Sequence, residues 1–288
     1  GGTGGAGRGV VGRAAGGGGA GRARVRRRGE GQALASLPGV GVGAGDRTRP
    51  EALVAALEGV DRAILISSAG PDMVEVQSIF IDSARKAGVQ HVVKLSGIIP
   101  ELDSPFRFAR MHGEIEQRLE ASGMAYTHLR AGEFMPSYFR QVPSIVGRGI
   151  LALPMEDARI ASLHVGDIAE VAAAVLTTPG HEGKTYPLTG PESLNMEEVA
   201  EKLSAVAGKT IRYVNVDPEE AKQAQLARGL PPYLVDGLAE LFAVRRKGAE
   251  SEVWQTIETV FGWRPTSFDE FARQNAAIFR GEEPPPGL

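Results

Sequence analysis

The residues best suited to chemistry by type and spacing lie at the start of this 288-residue sequence. Gly1, Gly4 and Gly7, in the run GGTGGAGR, form G-x-x-G-x-x-G. A tight turn of that kind feeding a helix lets bare backbone N–H groups approach a pyrophosphate, and the helix dipole adds positive potential. About twenty residues on, Arg24-Val25-Arg26-Arg27-Arg28 stands where a second strand should end. Basic residues there suit the ribose 2′-phosphate of NADP, whereas NAD calls for an acid. Gly45-Asp46-Arg47 stands where a third strand would end and face adenine.

Each of these features also has a plainer reading. Eighteen of the 38 glycines fall in the first fifty residues, and a second pattern, G-x-G-x-x-G at Gly7, Gly9 and Gly12, shows how cheaply the spacing arises there. Glycine- and arginine-rich composition is also that of a disordered tail, and an arginine run also decorates solvated surfaces. Other chemistries are excluded more firmly. With no cysteine there is no disulfide, thiolate metal site or Cys nucleophile, and none of the five histidines pairs at helical metal-ligand spacing. A formal net charge of -3 gives no reason to expect nucleic acid as a partner. No apolar run is long enough to span a bilayer and no signal segment opens the sequence, so the expectation is a cytoplasmic protein without a membrane partner.

The elements that must position such a site follow from about residue 50 onward. Residues 51–58 (EALVAALE) read as a helix with Pro50 at its start, and 62–67 (RAILIS) as a buried strand. A helix over 72–87 stops at Gly88, a strand covers 91–95, a helix over 106–122 stops at Gly123, and a strand covers 125–129. Strands alternating with helices imply right-handed crossovers and a doubly wound parallel sheet, an α/β fold of the Rossmann type. Ligands of such sheets bind beyond the carboxyl ends of the strands, which nominates the loops 67–71, 96–103 and 130–136. Further on, 167–177 reads as an Ala-rich helix capped by Asp167, 184–188 as a strand, 195–206 as a helix, 210–216 as a strand and 219–227 as a helix. Helices expected over 233–244, 252–260 and 268–279, with no strands between them, make a mostly helical lobe, and 281–288 (GEEPPPGL) reads as a loose tail.

Taken in order, these pieces resemble the NmrA-like branch of the atypical short-chain dehydrogenases. The resemblance rests on GGTGGAGR at 1–8, GDRTRPEAL at 45–53, LEGVDRAILIS at 57–67 and HVVKLSG at 91–97. It continues through HGEIEQRLEASGMAYTHLRAGEFM at 112–135, GDIAEVAAAVL at 166–176 and GKTYPLTGPESLNMEEVAEKLS at 183–204. That group includes NAD(P)H-dependent quinone and azo-dye reductases, isoflavone-reductase relatives and redox-sensing regulators. The resemblance implies an NAD(P)-binding Rossmann-like domain over 1–155. Remaining sheet elements and a smaller helical substrate lobe would then occupy 156–280. It implies NADP(H) as preferred cofactor with NAD(H) also accepted, a small-molecule acceptor, and a monomer or homodimer.

By position in the family, Gly1, Thr3, Gly4, Ala6 and Gly7 would hold the pyrophosphate, and one of Arg26, Arg27 or Arg28, with Arg26 and Arg27 ahead of Arg28, would meet the 2′-phosphate. Asp46 and Arg47 would flank adenine, and Ser67 and Ser68 would pass beneath the cofactor ribose. Lys94, Ser96 and the Glu133-Phe134-Met135 loop would lie near the nicotinamide, with the Phe134 ring as a wall of its pocket. The sequence also departs from the wider pattern. Ordinary short-chain dehydrogenases use Tyr-x-x-x-Lys, the Tyr giving a proton and the Lys lowering its pKa. Here the matching helix reads Phe108-Ala109-Arg110-Met111-His112, with no hydroxyl and with His112 in the Lys place. His112 could bond the nicotinamide ribose or protonate product, or be simply a helix-surface histidine. Without the Tyr, hydride donation to a quinone-like or other conjugated acceptor is expected rather than alcohol oxidation, with His112 and Lys94 as catalytic candidates. A catalytically silent NAD(P)(H)-sensing regulator is the alternative.

At the amino end, family members carry a strand of about six residues before the first motif glycine, where this sequence begins. Gly16 to Gly19 also stand where the first helix should finish, and each glycine there costs about 1 kcal/mol relative to alanine. The expectation is a sequence incomplete or poorly determined at this end.

Overall fold

The computed structural model describes residues 21–25, 40–44, 48–67 and 69–286. These fall into two compact units. The first takes in the described residues up to Ser104 together with Phe108–Ala131 and Val165–Pro187; the second is Pro105–Arg107, Gly132–His164 and the described residues from Leu188 onward.

In the first unit β1 (Gly21–Val25) and β2 (Val40–Ala44) pair in parallel, Gly21 opposite Val40 and Val25 opposite Ala44. A four-stranded sheet follows in the order β3 (Arg62–Leu65), β4 (His91–Gly97), β5 (Ala125–Ala131), β7 (Lys184–Leu188). The first three strands are parallel, with Arg62 opposite His91 and His91 opposite Ala125. Parallel neighbours need crossovers, which helices supply: α1 (Pro50–Leu57) precedes β3, α2 (Met73–Lys86) joins β3 to β4, and α3 (Arg107–Glu120) joins β4 to β5. Pro50 opens α1, where a missing N–H does no harm. Gly88 and Gly123, at φ +83° and +81°, turn the chain out of α2 and α3, a backbone state other residues rarely reach. Ala63 and Leu65 of β3, Val92 of β4, Ile81 and Ala84 of α2, and Ile115 and Leu119 of α3 close one apolar core.

Helix α5 (Val165–Thr177) packs against β3, β4 and β5. It starts two residues before the expected position, so Asp167 is not its cap but a buried residue of the first turn. The helix dipole still favours a carboxylate there. Its far end is fastened by Arg62, whose guanidinium donates to the carbonyls of Val175, Leu176 and Thr178 at 3.4, 3.2 and 2.7 Å. A cation on those orphan carbonyls satisfies both their lone pairs and the helix dipole.

The second unit is built around aromatic packing. A 3-10 turn (Met135–Gln141), α4 (Val142–Arg148), α6 (Met196–Ala207), α9 (Phe268–Gln274) and α10 (Ala276–Arg280) contribute to its core. Phe139 lies 5.4 Å from Phe271 and 5.7 Å from Phe279, centroid to centroid. Asn195 starts α6 with a capping box, its side chain accepting from Glu198 N at 2.9 Å while Glu198 accepts from Asn195 N at 2.9 Å. Helices α7 (Pro218–Ala227) and α8 (Pro232–Arg245) follow.

This unit departs from the expected helical lobe in three ways. A strand nothing in the sequence reading announced, β6 (Ile150–Leu153), pairs in parallel with β8 (Arg212–Asn215). Only one π-helical turn, Ile257–Phe261, forms where residues 252–260 read as a helix. The helix expected over 268–279 breaks at Asn275, whose side-chain amide donates to Phe271 O at 2.8 Å and so competes with the helical backbone.

Candidate active site

Interior strands of a parallel sheet are covered on both faces and normally carry apolar residues. Strands β4 and β5 depart from this at four positions of one face. There, Lys94 and Ser96 of β4 stand in register with His128 and Arg130 of β5. Facing them, α3 presents His112, Glu116 and Glu120, spaced i, i+4, i+8 and therefore on a single stripe. The result is a polar seam between helix and sheet, at the carboxyl end of β4.

Lys94 is wholly buried. Its ammonium donates to His112 Nδ1 at 2.8 Å, Ser96 Oγ at 3.1 Å and Leu95 O at 3.4 Å. Loss of water pushes its pKa down to about 7; the Glu116 carboxylate opposes this and the Arg130 guanidinium assists it. His112 is half-buried, and desolvation first and the Lys94 ammonium second hold its imidazole well below the ordinary histidine range. Gly97 lets the imidazole lie close to the strand: a Cβ on that glycine would sit 3.1 Å from His112 Cδ2.

Behind the dyad, buried Glu116 binds the Arg130 guanidinium, with the shortest contact 2.6 Å from Nη2 to Oε2. Buried His128 reaches Glu120 Oε1 through Nε2 at 3.0 Å, and its Nδ1 has no partner among the described residues. Desolvation lowers its pKa, against the pull of Glu116 and Glu120. The strand members of this seam are legible in the sequence once the period is applied. Lys94 and Ser96 alternate in HVVKLSG, His128 and Arg130 alternate in AYTHLRA, and both sets sit where apolar side chains belong.

At the end of β3, half-buried Ser67 accepts from Gln77 Nε2 at 2.7 Å, which leaves its own O–H free to donate. Gln77 is itself buried on α2, and its Oε1 has no partner among the described residues.

Glu133 and Phe134 belong to the second unit. Leu163 N donates to Glu133 O at 2.7 Å and Met135 N to Leu163 O at 3.0 Å, which fixes the loop backbone. The Glu133 carboxylate is held by Arg245 and by Ser137 Oγ, and Arg245 reaches Glu250 at 2.5 and 2.8 Å. Arg245 and Ser137 keep Glu133 below the usual carboxylate range despite its burial. Phe134 is half-buried and stacks on no other ring among the described residues.

The structure thus brings Lys94, Ser96 and His112 together. Gly1, Thr3, Gly4, Ala6, Gly7, Arg26, Arg27, Asp46, Arg47 and Ser68 lie outside the described residues.

A parallel sheet with flanking helices and polar groups at the ends of its strands defines a Rossmann-like α/β protein. Within that class the chain belongs to the NmrA-like family, which it matches over residues 1–272. It is 38% identical over 234 residues to the NAD(P)H azoreductase of Xenophilus azovorans, covering 81% of this chain and 82% of that one. Among solved structures it resembles the NADPH-dependent quinone oxidoreductase of Escherichia coli in complex with NADPH. That match has a TM-score of 0.86 and 30% identity, over 94% of this chain and 96% of the other. The triphenylmethane reductase of a Citrobacter species matches with a TM-score of 0.83 and 27% identity, over 95% and 96%.

Proposed function

We propose that the protein is an NAD(P)H-dependent reductase that passes a hydride to a quinone-like or other conjugated small-molecule acceptor, with NADP(H) as the preferred cofactor. The buried Lys94–His112 pair carries this reading, because it supplies a proton donor beside β4 in a chain whose α3 lacks the Tyr of ordinary short-chain dehydrogenases. The described residues fit a dinucleotide ribose: Ser67 at the end of β3 and Ser96 on β4 both accept a hydrogen bond from the protein and keep an O–H to donate. The bound cofactor supplies the hydride; the protein orients it, shapes the acceptor pocket and handles the proton. Lys94 fixes the orientation of His112 and Ser96, and His112 acts as the acid. The family resemblance supports Arg26 and Arg27 for the 2′-phosphate and Phe134 for the nicotinamide pocket.

Mixing the protein with NADPH and a simple quinone should remove the absorbance of the reduced nicotinamide. Tight NADPH binding without turnover on quinones and azo dyes would instead mark a dinucleotide sensor. Changing Arg26 and Arg27 to Ala should weaken NADPH about tenfold or more relative to NADH, the loss of one or two charge-assisted phosphate contacts. An unchanged ratio would remove those arginines from the cofactor site.

A further inference from the structure

The hydrogen bonds of Lys94 determine where the proton of His112 lies. The lysine has three N–H groups and meets three acceptors, His112 Nδ1, Ser96 Oγ and Leu95 O. An ammonium only donates, so Nδ1 must be the accepting nitrogen and the neutral ring carries its proton on Nε2. That Nε2–H has no partner among the described residues. If the Nε2 proton leaves, Nδ1 can take one from Lys94 across the same 2.8 Å contact. The lysine is then an amine whose lone pair accepts the new Nδ1–H. The hydrogen bond persists with its polarity reversed.

We propose that Lys94 and His112 form a proton relay: His112 Nε2–H protonates the oxygen or nitrogen of the reduced acceptor, and Lys94 Nζ replaces that proton through Nδ1. This rests on the reductase reading above. The acceptor gains a hydride with its electron pair from the reduced nicotinamide and one proton from Nε2, so no electrons pass through the relay. Lys94 ends as a neutral amine and His112 as the Nδ1–H tautomer. A solvent proton entering at Nε2 restores both.

The surroundings keep the two states close in energy. Facing Lys94 are His112 and Glu116 from α3, and His128 and Arg130 from β5, with Glu120 holding His128. Burial destabilises the ammonium, Arg130 adds to that and Glu116 offsets part of it, so ammonium and amine are both populated near neutral pH. A lysine in water would stay charged and hold its proton.

The tautomer can be read without cofactor or substrate, by ¹⁵N NMR of the full chain labelled at histidine, with His112→Gln to assign the signal. Below neutrality His112 should carry its proton on Nε2, and the signal should shift towards the Nδ1–H form through an inflection near pH 7. In Lys94→Met that inflection should vanish. An Nδ1–H ring at low pH, or an inflection that survives in Lys94→Met, overturns the relay.

A second measurement uses acceptor chemistry. A quinone needs a proton after it receives hydride; a triarylmethyl cation dye is neutralised by the hydride and needs none. His112→Ala and Lys94→Met should each lower the ratio of quinone to dye turnover at least about tenfold, the low end of general-acid contributions. An unchanged ratio overturns the relay. A wild-type protein inert towards both acceptors would sink the reductase reading, and the NMR result would still decide the wiring of the dyad.

Discussion

At the scale of single residues, the anomaly of this protein is a lysine in the middle of a sheet. Lys94 titrates at about 7 in the folded chain against an ordinary 10.5. Between those values the unfolded chain binds more protons than the folded one, so stability rises with pH across that window. Below about 7 the full cost of charging the buried amine is present, and above about 10.5 it is gone. Each pH unit of the window is worth at most about 1.4 kcal/mol. Lys94→Met should therefore be more stable than wild type at neutral pH, with the advantage shrinking towards pH 10 in thermal melts. A pH-independent difference would mean that folding does not change the protonation of Lys94, which then keeps its ordinary pKa in the folded chain. Retaining so costly a residue makes sense if its proton is used.

The elements of the fold were mostly legible beforehand. Apolar runs ended by Gly88 and Gly123 located α2 and α3, and the helix read over 195–206 is α6. Strand β6 was not legible, because four apolar residues are too few to separate strand from loop without their partner β8. The break at Asn275 was hidden because the apolar period continues on both sides of it. Lys94, Ser96 and His112 came from family position, whereas the Glu116–Arg130 pair behind them needed the strand register, which residue types alone do not supply. Gly97 was missed for the same reason: its value lies in the His112 ring it admits. Gly97→Ala should push that ring by a few tenths of an ångström and slow quinone reduction about tenfold. Turnover at saturating NADPH, with a melting curve to show that the fold persists, checks this. Undiminished turnover would show that the ring position has slack.

On the scale of the whole molecule, each unit has its own core, one aliphatic and one aromatic. Among the described residues no helix is long and apolar enough to cross a membrane. The second unit is further fixed by Arg245, buried between Glu133 and Glu250. Removing that cation strands two carboxylates out of water, so Arg245→Met should cost about 3–5 kcal/mol in denaturant unfolding. A loss under about 1 kcal/mol would show that solvent reaches the carboxylates. The bonds from Arg62 to the end of α5 act over a longer range, since the strand residue and its last carbonyl partner stand 116 positions apart. On the ribosome, β3 emerges long before the helix end it must grip. Contacts of such sequence separation close late and slowly. The nascent sheet therefore waits with this clasp open until the chain has been synthesised past Thr178.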